Sequence, residues 1–215
     1  MSPKILLTSF QTWLPHQPSN ASDDLLVMVQ ERLPQTTFVR QLPVDTARAS
    51  ERVLAAIADV QPEMVICCGM AESRYQLTVE SQATWTSDRL YTSVDLEALV
   101  DRLVNTAISH DAGKFVCEGL YYQVLKHLPS HSQCVFVHVP LLTATNVPTI
   151  LTDFITITKV PPGRERGKGE KVPPGRERGK GEKVPPGRER GKGEGERGNQ
   201  LLTMNKKRML LSFLI

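Results

Sequence analysis

The sequence predicts an α/β protein: a three-layer α/β/α sandwich with a twisted, mostly parallel central sheet, followed by a disordered C-terminal repeat tail. Three observations predict it. Short β-rich runs alternate with amphipathic helical patterns through the first 158 residues, which is the signature of a layered α/β architecture. The apolar content of 40% is enough for one ordinary domain. Beyond residue 158 the composition changes abruptly, since all but three of the 14 glycines lie there.

Strands are expected at Lys4–Thr8, Thr37–Leu42, Met64–Cys68, Leu77–Ser81 and Val135–Val139, each a run rich in β-formers. Helices fall between them. Leu25, Val29 and Leu33 mark the first, opened by the capping candidates Ser19 and Asn20, and Val53, Leu54, Ile57 and Val60 mark the second. The third follows Ser93 with Leu96, Leu99, Val100 and Leu103 on one face. The fourth follows Cys117, with Leu120, Tyr121, Val124, Leu125 and Leu128 aligned and Pro129 just past its end. Asn146 and Pro148 open a fifth that runs through Ile157.

The chain thus divides into a compact part, 1–158, three repeats at 159–194 and a tail at 195–215. KVPPGRERGKGE occurs three times without change. Each repeat has one apolar side chain, Val, so stacked repeats could not bury a core, and disorder is expected. Residues 1–158 hold 10 basic and 16 acidic side chains, net −6, whereas residues 159–215 hold 16 and 7, net +9. An acidic compact part lacks the clustered Lys and Arg that nucleic acid requires, so no nucleic acid is expected as its partner. The basic tail has no aromatic in its repeats on which a base could stack.

The N-terminal MSPKILLTSFQTW lacks a signal-peptide apolar region, and MLLSFLI is far shorter than the roughly 20 residues that cross a bilayer. No membrane partner is expected. Cys67, Cys68, Cys117 and Cys134 show no zinc spacing, and a chain of this size needs no disulfide framework. Free thiols in a cytoplasmic protein are the expectation.

The compact part's glycines, Gly69, Gly113 and Gly119, mark where the chemistry could sit. Gly69 follows the strand MVICC, at the carboxyl end where open α/β sheets line their ligand crevice. The other two bracket Cys117, in HDAGKFVCEGLYY, where a turn runs into a helix. A thiol at a helix N-terminus feels the positive end of the macrodipole, which lowers its pKa, and free N–H groups there can hold an oxyanion. A lone cysteine is more often a packing residue, and packing is the expected role of Cys67, Cys68 and Cys134, with Cys67 and Cys68 pointing to opposite faces. His138 ends the strand VFVHV, placed either to exchange a proton near neutral pH or to sit as an ordinary core or edge histidine. Glu80 is the only acid in YQLTVESQA. It either orients His138 or stands exposed on a strand. His16, His110, His127 and His131 look solvated.

Together these residues resemble the pyroglutamyl-peptidase I family of cysteine peptidases. LLTSFQTW and HQPSNAS resemble its TGFEPFGG and NPS segments, and LPVDTARASERVLAAIADVQPEMVICCGMAESR resembles its LPV, helix, PDVVICLGQAGGR block. TVESQA, DAGKFVCEGLYY and VFVHVP resemble the segments with that family's Glu, Cys and His, in the same order, so that about residues 4–157 are covered. The resemblance implies Cys117 as nucleophile, His138 as general base and acid, and Glu80 as orienting carboxylate. It also implies a substrate wall from Phe10, Trp13, Gly69, Met70, Phe115 and Val116. Pyroglutamate is a flat, neutral lactam that suits an aromatic slot. The substrates implied are pyroglutamyl peptides or small N-blocked compounds, with no metal or cofactor, and self-association into a homo-oligomer.

Some positions depart from the family's pattern. Its Gln after the strand-end Gly is Met70 here, its Asn after the nucleophile is Glu118, and the GG of FGG is missing after Trp13. Its long, arginine-bearing loop is reduced to SQATWTSDRLYTSVD, in which Arg89 is a candidate replacement. A negative Glu118 beside the sulfur should raise the thiol's pKa unless its side chain points away. Binding of peptide termini or another protein without cleavage, and a cysteine hydrolase of altered acyl specificity, stand as alternatives.

Overall fold

The computed structural model describes residues 3–159. The expected disorder of the tail and the boundaries at 194 and 195 lie outside the described residues. Eight strands and five helices follow in the order β1 (Ile5–Phe10), α1 (Ala21–Gln30), β2 (Thr36–Leu42), α2 (Thr46–Val60), β3 (Met64–Met70), β4 (Leu77–Glu80), β5 (Gln82–Trp85), β6 (Asp88–Tyr91), α3 (Leu96–Val100), β7 (Thr106–Ser109), α4 (Val116–His127), β8 (Gln133–Val139) and α5 (Val147–Ile157).

Six strands form one sheet in the order β2-β1-β3-β8-β4-β7. The first four run parallel, while β4 lies antiparallel to β8 and carries β7 parallel to itself. This is the mostly parallel sheet the sequence predicts. Alternation along the strands sends side chains to two cores. Ile66, Cys68, Leu77, Val79 and Val137 pack with α1, α3 and α5, and Val65, Cys67, Cys134 and Phe136 pack with α2 and α4. Cys67 and Cys68 therefore point to opposite faces, and with Cys134 all three are fully buried.

Three helices begin where short polar side chains satisfy their first N–H groups. Asn20 accepts from Ser22 N at 3.0 Å, Asp45 from Arg48 N at 2.8 Å and Asp95 from Ala98 N at 3.1 Å. Two helices are shorter than the apolar spacing implies. The first ends at Gln30, before Leu33, and the third is a five-residue piece capped by Asp95 rather than Ser93. Three strands escape the sequence reading. β5 and β6 form a separate hairpin beside α4, and β7 edges the main sheet.

A buried polar knot ties the ends of β1 and β2 to α1. Asp23 accepts from Ser9 Oγ at 2.6 Å, from Arg40 Nε and Nη2 at 2.8 Å each, and from Gln41 Nε2 at 3.2 Å. Burial pushes this carboxyl upward, but the Arg40, Ser9 and Gln41 hydrogen bonds outweigh it and hold it below the usual carboxylate value. A carboxyl depressed in the folded state adds stability above its unfolded pKa, and that stability is lost as pH falls through the folded value. Asp23→Asn should therefore cost roughly 1.5–3 kcal/mol at pH 7, the scale of hydrogen bonds to a charged group. The denaturant midpoint reads this, and the gap from the parent protein should narrow as pH drops below about 4.

Candidate active site

The parallel strands β1, β3 and β8 deliver their carboxyl ends to one edge, where the segments singled out in the sequence meet. His138 lies beside Gly69 in the register of β8 with β3 and opposite Thr78 of β4. Thr78 and Glu80 alternate with the core residues Leu77 and Val79, so they share the α4 face of the sheet with His138. There Glu80 Oε1 meets His138 Nδ1 at 2.7 Å. Glu80 is fully buried and His138 is 5% exposed. With Nδ1 engaged, Nε2 is the ring nitrogen left for a further partner.

Cys117 is half-buried in the first turn of α4, above the same face. Gly69 makes room for it: a Cβ added there would lie 2.7 Å from Cys117 Sγ and 2.9 Å from Phe136 Cζ. The sulfur therefore rests directly on the backbone neighbour of His138. Tyr121, one turn further along α4, donates its hydroxyl to Glu80 O at 2.9 Å and locks helix to strand. Phe115 occupies the N-cap position with no side-chain cap, so the first N–H groups of α4 keep the anion-binding character of an uncapped helix start.

The expected lowering of the thiol pKa by the helix is overturned. Burial pushes the Cys117 thiol up to about 12, with further upward pressure from Cys67 and Glu80 and only partial relief from Arg74. Desolvation is the largest of these effects. Glu118 is not the cause. Its Oε1 accepts from Thr84 N of β5 at 3.0 Å, so the side chain turns to the hairpin and away from the sulfur.

The expected substrate wall divides in two. Trp13 and Phe115 are 52% and 53% exposed and lie against each other with ring centroids 4.8 Å apart, forming an aromatic rim two residues from Cys117. The Trp13 loop is held by Gln17, whose Oε1 accepts from Trp13 N and Leu14 N at 3.2 Å each and whose Nε2 donates to Glu72 at 2.6 Å. Phe10 and Val116, by contrast, are buried in the α2/α4 core and support the rim from below. Met70 turns to the other side of the sheet, where its sulfur accepts from Ala21 N at 3.3 Å. Gly69 and Met70 can therefore offer a substrate only backbone groups.

Arg74 is the site residue that sequence reasoning missed. Its Nη1 meets Glu80 Oε1 at 2.6 Å and also contacts Thr78 Oγ1. Arg89, the candidate from the sequence, lies exposed on β6 opposite Thr84. The remaining histidines, 16, 110, 127 and 131, are exposed, as expected. No helix among the described residues is long and apolar enough to cross a membrane.

A helix-start thiol and a carboxylate-bound imidazole thus stand on one face of a three-layer α/β sandwich, at the ends of its parallel strands. The chain is 28% identical over 181 residues to the pyrrolidone-carboxylate peptidase of Vibrio vulnificus strain YJ016, covering 68% of this chain and 84% of that one. It is 24% identical over 189 residues to that of Alkaliphilus oremlandii, covering 74% and 89%. In structure it matches the pyroglutamyl peptidase I of Bacillus amyloliquefaciens with a TM-score of 0.61 at 21% identity, over 74% of this chain and 95% of that one. No family model matches. The chain is thus similar in sequence to pyrrolidone-carboxylate peptidases and shares the fold of pyroglutamyl peptidase I.

Proposed function

We propose that the protein is a cysteine peptidase that removes N-terminal pyroglutamate through Cys117, His138 and Glu80. The observation that carries this reading is the buried Glu80–His138 hydrogen bond beneath the half-buried sulfur of Cys117. The lactam ring packs against Trp13 and Phe115. Cys117 Sγ attacks the carbonyl that links pyroglutamate to the next residue as His138 Nε2 takes the thiol proton. The negative oxygen of the tetrahedral adduct is held by first-turn N–H groups of α4. His138 then gives the proton to the departing amine, and water hydrolyses the thioester.

The test is release of a fluorogenic amine from its pyroglutamyl amide by the full chain under reducing conditions. Turnover supports the reading, and no release between pH 6 and 9 rules it out. Trp13→Ala should raise KM about tenfold, the scale of removing one aromatic partner, with kcat much less changed. A second reading, capture of pyroglutamyl ends without cleavage, is favoured by the high thiol pKa. Tight binding of an intact pyroglutamyl peptide with no product after long incubation would select it.

A further inference from the structure

Arg74 lies in the loop between β3 and β4, and three elements converge on its guanidinium. Nη1 meets Glu80 Oε1 at 2.6 Å, and Nη2 reaches Ser109 Oγ of β7 at 3.3 Å and Asp111 O at 3.0 Å. Its side chain is 24% exposed, against 0% for Glu80. The arginine thus closes the end of the cleft over the carboxylate and is itself held from the far side by β7 and the segment that leads into α4.

Glu80 depends on it. Three side chains address Oε1, Arg74 Nη1 at 2.6 Å, His138 Nδ1 at 2.7 Å and Thr78 Oγ1 at 3.4 Å, while Oε2 is buried with no hydrogen-bond partner among the described residues. A buried carboxylate with one oxygen unsatisfied stays ionised only if a permanent positive charge is close by. Arg74 is the one cation bonded to it that does not titrate in the working pH range. His138 cannot fill that role, because its charge must change during turnover.

We propose that Arg74 is a positioning residue that holds Glu80 ionised and aimed at Nδ1 of His138. This inference rests on the function proposed above. The other ionisable groups around Glu80 cannot replace it: Cys117, Tyr121 and Glu118 of α4 are neutral or negative, and Asp111 is acidic. From them Glu80 receives only the Tyr121 hydroxyl, on its backbone oxygen. The fixed charge also explains how the site tolerates a carboxylate with no solvent access. Burial alone pushes Glu80 upward, and His138 first, then Ser109 and Arg74, bring it below its ordinary value.

The test replaces Arg74 by Met, which keeps the bulk of the stem without the charge, and by Lys, which keeps the charge without the fork. Circular dichroism and thermal unfolding first verify folding. In Arg74→Met the acidic limb of kcat/KM for the pyroglutamyl amide should move up by about one pH unit or more, the usual effect of losing an adjacent opposite charge. kcat at pH 7 should fall about 10- to 100-fold with KM nearly unchanged, and Arg74→Lys should recover much of both. Alkylation of Cys117 by iodoacetamide, which needs no peptide substrate, should slow at neutral pH in Arg74→Met and recover in Arg74→Lys. The alkylation readout separates this inference from the peptidase reading, because it stands even if no amide is cleaved. A folded Arg74→Met protein whose pH–rate and alkylation profiles both superimpose on those of the parent protein overturns the proposal. If Arg74→Met does not fold, Arg74→Gln, which keeps a polar side chain without the charge, decides it: a shift in the same direction supports it, and none overturns it.

Discussion

Cys117→Ala should leave a folded protein whose hydrolysis of a pyroglutamyl amide is lower by at least about 10³-fold, since a nucleophile that works as one unit with its base leaves little behind when removed. The fold should tolerate the change well. Cys117 is half-buried in the first turn of α4, alanine is the strongest helix former, and the substitution removes only the packing of one sulfur. Thermal unfolding of the variant checks that expectation. The same variant should lose the site-specific alkylation of Cys117 by iodoacetamide, because Cys67, Cys68 and Cys134 are fully buried. Retention of more than a tenth of the parent activity would remove Cys117 from the chemistry and end the proposed mechanism.

Gly69→Ala should be nearly as damaging, through a residue that carries no chemistry of its own. The new methyl would lie 2.7 Å from Cys117 Sγ and 2.9 and 3.1 Å from two carbons of the Phe136 ring. Phe136 is fully buried and packs against both Tyr121 and His138, so the ring has nowhere to retreat. The sulfur must yield. A displacement of about 1 Å at a reacting atom costs on the order of 10²-fold in rate, and overpacking adds roughly 1–3 kcal/mol of destabilisation. Assay of kcat together with a denaturation curve separates the two effects. A Gly69→Ala enzyme with parental kcat would show that the sulfur does not need its position over the strand.

The three residues proposed to carry the chemistry were legible because each is unusual in its surroundings. Glu80 is an acid among β-formers, His138 ends an apolar strand and Cys117 stands where a glycine-bearing turn enters a helix. What the sequence concealed has physical causes. The β5–β6 hairpin turns at Thr86 with φ 55°, a conformation normally supplied by Gly or Asn, so the usual turn signal is missing. Arg74 sits among polar loop residues and looks like any solvated cation, since its partners on β4, on β7 and in the segment after β7 come from 4 to 37 positions away. The thiol's high pKa comes from tertiary burial, which a reading of the helix start alone cannot include. Met70 was misplaced for a simpler reason: strand alternation sends it opposite to Gly69, and a motif match does not carry that parity.

The reversed direction of β4 gives the proton pathway a particular vulnerability. Carboxylate and imidazole stand on neighbouring strands of opposite polarity, so their meeting is set by inter-strand alignment, with Thr78 opposite His138 and Glu80 opposite Phe136. Sliding β4 by a single position would swing Glu80 beneath the sheet and bring Val79 up beside the imidazole. In the proposed mechanism, proton relay depends on sheet alignment, so events that loosen the β7 edge would reach the chemistry from outside the site.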